Sequence, residues 1–86
     1  MAFEAEITEI FEAVHAHCGS IWQVGLSRTE FRAGDSGVLR ASSRSGTQLE
    51  VPVLNVETDA SGTVWHFVRK PLAAGTHVRG EVSPRN

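Results

Sequence analysis

The chain has 86 residues, 41% of them hydrophobic and 21% charged, and a formal net charge of −2. That length makes a single domain, 1–86, and the composition excludes disorder, collagen and coiled coil. One cysteine excludes a disulfide framework and a four-cysteine zinc site, and no apolar run approaches the ~20 residues of a membrane span. With an acidic rather than basic N-terminus, the expected location is cytoplasmic.

Residues 1–18 hold Glu4, Glu6, Glu9 and Glu12 and no Lys or Arg. Phe3, Ile7, Ile10, Phe11, Val14 and Cys18 recur there at helical spacing, which predicts an amphipathic helix over 1–18. Glu4 and Glu6 suit the positive end of its dipole, and His15 and His17 suit the negative end. Gly19 is a natural stop. About 16 helical residues would span roughly 24 Å.

From 20 to 83 the pattern predicts an antiparallel β meander of about five strands. Trp22, Val24 and Leu26 alternate with Gln23 and Gly25 as in a half-buried strand. The apolar phase shifts before Phe31, which calls for a bulge or bend near 25–28. A turn at 33–37 leads to a short strand through Val38 and Leu39, closed by the loop at 42–46. The longest strand runs from about Thr47 to Thr58, with Leu49, Val51 and Val53 on one side and Leu54 and Val56 on the other. Pro52 puts its first half on an edge. Asp59–Gly62 turns it into a return strand, where Trp65 and Phe67 oppose Val64 and Val68. Pro71 stops that strand, Gly75 starts a last one through Val78 and Val82, and 84–86 is a frayed tail.

Apolar residues on both sides of two strands imply cover on both faces. The expected fold is therefore α+β: one N-terminal amphipathic helix packed on a strongly bent antiparallel five-stranded sheet or partly open small β-barrel. This layout is similar to that of short phage head–tail connector proteins, and the resemblance implies a structural connector as one alternative function.

His15, His17 and Cys18 are the one cluster of metal-capable residues. His15 and Cys18 share a helical face, which supplies two ligands at most, so no metal or cofactor is expected. Cys18 at a helix C-terminus is poorly placed for a reactive thiolate. No Gly-x-Ser-x-Gly elbow and no Gly-rich phosphate loop occur, so the chain reads as no enzyme. Arg28, Arg32, Arg40, Arg44, Arg69, Lys70 and Arg79 all lie in the body. With Trp22 or Trp65 they would suit single-stranded nucleic acid, but residues 19–86 carry a charge of only +2, which argues against it.

What remains is a small interaction module. Twenty-four large apolar residues exceed what one helix covers on a sheet this small. Leu54, Val56, Val64 and Val68 are the expected self-association face, completed by a second copy. The alternative is a small-ligand binder with a pocket between helix and sheet, bounded by Trp22, Trp65, His66 and His77, with His66 at its mouth as the polar group that orients the ligand.

Overall fold

The computed structural model describes residues 2–16, 19–42 and 46–83, the side chains of 14–16 excepted. Six strands account for most of them: β1 (Ala2–Ala16), β2 (Gly19–Leu26), β3 (Ser36–Ser42), β4 (Gln48–Thr58), β5 (Val64–Val68) and β6 (His77–Ser83). They form a closed antiparallel barrel in the order β1-β2-β5-β4-β3-β6, with β6 returning to β1. The fold is all-β, and no helix occurs among the described residues.

The expected α+β fold, a helix over 1–18 on a five-stranded sheet or partly open barrel, is thus corrected: the sheet has six strands and closes, and the first segment is a 15-residue strand. Its spacing fits both periods. Phe3, Ala5 and Ile7 are buried and alternate with the exposed Glu4 and Glu6, which is strand periodicity. The odd step from Ile7 to Ile10 looks helical, but a β-bulge supplies it: Ile7 pairs with Leu26 and Glu9 with Gly25, leaving Thr8 as the extra residue. Ile10 then packs against the core with Phe3, Ala5 and Ile7. A helix would bury one stripe and leave β2 and β6 each short of a neighbour. As a strand the segment pairs with both and closes the sheet.

β4 repeats the device. Val53 pairs with Val68 and Asn55 with Phe67, so Leu54 is the bulged residue. Val51 and Val53 point inward before it and Val56 points inward after it. The two apolar sides read in this strand are one interior face with a change of phase, and no second layer is needed to cover them.

The bulges at Thr8 and Leu54 lie where a long strand changes partner, while a third, at Ala13, falls within the β1–β2 pairing. Residues 2–6 of β1 pair with β6, and 7–16 pair with β2. Residues 48–53 of β4 pair with β3, and 53–58 pair with β5. Pro52 therefore lies in a stretch bonded on one side only, although the barrel as a whole is closed. The molecule is in effect two four-stranded walls that share β1 and β4, bent at Thr8 and Leu54. Between them lies one core containing Ile7, Val24, Leu39, Val51, Val56, Val68 and Val78, each at most 1% exposed.

The longer loops plug the interior. Phe31, from the β2–β3 loop, is buried and stacks edge-to-face on Phe3 at 5.7 Å and on His66 at 5.1 Å. Leu72, from the β5–β6 loop, is also buried in the core. Phe3 in turn lies over Gly80, its register partner. A Cβ at Gly80 would come within 2.6 Å of the ring, so only glycine fits there.

Candidate functional site

The residues expected to bind a ligand are not brought together. Trp22 is half-buried and packs against the core from β2. His66 is fully buried and satisfied on both ring nitrogens. Nδ1–H donates to the Val24 carbonyl at 2.9 Å, and the Thr29 hydroxyl donates to Nε2 at 2.8 Å. Thr29 itself accepts the Phe31 N–H at 3.0 Å, so the chain of bonds fastens the plugging loop to the barrel. Burial pushes the His66 pKa below the ordinary histidine value, outweighing the opposite effect of its bond to Val24, and keeps the ring neutral. It is a structural group, closed off from any ligand. Trp65 and His77 face the outside, on opposite walls.

The expected interface residues separate as well. Val56 and Val68 are inside, Val64 is half-buried against the core, and Leu54 is 44% exposed. The histidine–cysteine cluster falls on the side chain of His15 and on His17 and Cys18, outside the described residues, as do Arg44 and the tail 84–86. Among the described residues no three His, Cys, Asp or Glu side chains gather to hold a metal, and no helix is long and apolar enough to cross a membrane.

What the barrel does create is two unlike outer walls. The first covers β2, β5 and the second halves of β1 and β4. One row across it reads Phe11, Gln23, Phe67, Asn55. The next reads Glu9, Gly25, Trp65, Glu57, with the Trp65 ring 3.4 Å from where a Cβ on Gly25 would stand. Phe11 is 51% exposed and meets Trp65 edge-to-face at 5.6 Å. Leu54 projects from the bulge next to Asn55, at the far end of the first row.

Trp65 is held in place. Its Nε1–H donates to Asp59 Oδ2 at 2.9 Å. The other oxygen of Asp59 accepts the Ser61 hydroxyl at 2.7 Å and the N–H groups of Ser61 and Thr63 at 2.9 and 3.0 Å. These bonds, that of Trp65 first, lower the Asp59 pKa from 3.8 to about 2. The turn at 59–63 is thereby a clamp for the indole. Outward parity on β5, which sets Trp65 and Phe67 against Val64, His66 and Val68, was the signal in the sequence for this wall.

The second wall covers β6, β3 and the first halves of β1 and β4. Its rows are polar: Glu4, Arg79, Arg40, Glu50 in one and Glu6, His77 with Ser42, Gln48 in the next. Arg40 lies 3.5 Å from Glu50 and 3.2 Å from Glu81, and His77 lies 2.9 Å from Glu4. The bond from His77 lowers the Glu4 pKa, with smaller help from the charges of His77 and Arg79. A groove of about 460 Å³ runs along this wall.

No family model, curated protein or solved structure matches the chain, so its class rests on its own geometry: a small closed antiparallel β-barrel with one aromatic and one charged outer wall. The layout likeness to phage connectors loses its first half with the helix.

Proposed function

We propose that the protein is an interaction module that docks a protein partner on its aromatic wall, the partner presenting apolar side chains edged by Lys or Arg. The observation that carries this reading is the exposed Phe11 against a clamped Trp65, with Glu9 and Glu57 at the two ends of the Trp65 row. A ring already fixed in one rotamer loses little freedom on binding, which is what aromatic anchors at interfaces supply. The sign of the partner follows from the frame. Segments 7–16, 19–26, 54–58 and 64–68 contain three glutamates and no Lys or Arg. A phosphate backbone would meet repulsion there, and a second copy docked through the same wall would bring no Lys or Arg to those acids.

Selection of a displayed random-peptide library on the purified protein tests this, together with solution mass by light scattering over a wide concentration range. The expected peptides carry an aromatic or aliphatic residue beside Lys or Arg. They lose binding to Phe11→Ser and Leu54→Ser and keep it to Arg79→Gln. Acidic peptides, or binding indifferent to Phe11→Ser, would overturn the reading. A dimer that Phe11→Ser dissolves would put a second copy in the partner's place.

A further inference from the structure

The charged wall carries an arrangement that sheet electrostatics alone would disfavour. Arg40 on β3 and Arg79 on β6 are direct register partners on the outer face. Like charges directly opposite one another repel and destabilise a sheet. Arg40 is neutralised, since Glu50 and Glu81 flank it at 3.5 and 3.2 Å. Arg79 is not. Its own partner across the sheet, Glu4, turns its carboxylate to His77 instead, and no carboxylate of the described residues lies within 4 Å of the Arg79 guanidinium.

Around that guanidinium the wall is hollow. Arg79 lines the groove of about 460 Å³ together with the donors Arg40, His77, Ser42 and Gln48 and the carboxylates Glu4 and Glu81, and with Glu4 it also lines a smaller hollow of about 190 Å³ towards Ala2. The geometry points to this groove as a binding site for a small ligand bearing one oxyanion group, a carboxylate or a phosphate, seated on Arg79 with Ser42 and Gln48 donating to it. Guanidinium and oxyanion match as a planar fork, two N–H groups to two oxygens. Glu4 and Glu81, which line the same groove, set the upper limit of charge: they favour a singly charged ligand over a polyanion. The site is on the opposite wall from the aromatic face and stands or falls independently of it.

The test is an NMR titration of the ¹⁵N-labelled protein with inorganic phosphate and, separately, with acetate, at ionic strength held constant with chloride. Saturable shifts are expected at the Arg79 side-chain N–H and along β3 and β6. Arg79→Gln weakens binding roughly tenfold or more, the value of a charge-assisted hydrogen bond, and Glu4→Gln tightens it. Arg69→Gln, an exposed arginine outside the groove, leaves it unchanged. Saturation by phosphate alone or by acetate alone names the oxyanion. Shifts that rise linearly without saturating, or that persist in Arg79→Gln, would overturn the site.

Discussion

On the wall made by β6, β3 and the first halves of β1 and β4, one outward row holds Glu4, Arg79, Arg40 and Glu50. On the wall made by β2, β5 and the second halves of the same two strands, the corresponding row holds Phe11, Gln23, Phe67 and Asn55. Behind both rows the inward residues are alike: Leu39, Val51 and Val78 on one side, Val24, Val56 and Val68 on the other. The interior needs only apolar volume in the right phase, so it is shared and uniform. The outside is free to differ, and the difference is where function is to be sought.

The largest effect should come from the shared interior. Leu39→Ala removes a fully buried side chain and should cost about 2–5 kcal/mol in urea unfolding. Trp65 fluorescence and the His77 resonances should report the same midpoint although they sit on opposite walls. Separate midpoints would mean that the walls are two units. Next comes a pair of glycines. Gly80→Val drives a side chain into the Phe3 ring and should cost about 1–3 kcal/mol. Gly25→Ala meets the end of the Thr8 side chain at 3.1 Å, a softer contact on the outer wall, and should cost less.

Acid should distinguish the inside from the outside by pH. His66 has its pKa lowered in the fold, so below the ordinary value of about 6.5 unfolded chains bind a proton that the folded ring resists. The stability it supports is complete above that value and declines as pH falls towards the folded pKa. His66→Gln should flatten that part of the urea midpoint against pH. Asp59 acts lower: its contribution is complete above 3.8 and is lost as pH falls through about 2. Trp65→Phe removes the leading cause of that shift, and NMR titration should find the Asp59 pKa raised.

The smallest effect belongs to the charged wall. Arg40→Gln breaks two exposed ion pairs and should change stability by about 0–1 kcal/mol, less in high salt. A larger loss, measured by the same urea unfolding, would show that this wall has a structural share that the aromatic wall lacks.

Some of this was legible in the residues. The alternation at Trp22–Leu26, the turn at Asp59–Gly62 and the break at Pro71 mark where β2, β5 and their neighbours run, and a small β-barrel was among the forms they allowed. β1 was not legible, because Phe3, Ile7 and Ile10 satisfy a helix as well as a bulged strand. Only pairing with β6 and β2, distant in sequence, separates the two. The bulges marked the sequence only as a change of apolar phase, Val53 to Val56 and Ile7 to Ile10, which a two-sided strand or a helix explains as well, and Thr8 and Leu54 are ordinary residues with no special backbone demand. For the site, Trp65, His66 and Phe67 follow one another in a single strand, but which of them face outward depends on a register that the sequence does not carry. His66 therefore looked like a ligand group when it is a fastening for the loop at Thr29 and Phe31.

The corners of the barrel are made by arithmetic rather than by chemistry. With Leu54 deleted, Val53, Asn55, Val56 and Glu57 would still alternate in and out without fault, and the strand would have no reason to bend. The same holds for Ile7, Glu9 and Ile10 with Thr8 removed. A chain one residue shorter at either place would thus keep its pattern, its composition and its core-forming side chains, and lose the turn of the wall. Closure in this molecule is a matter of how many residues lie between two partners, and a single-codon deletion would change its shape more than most substitutions could.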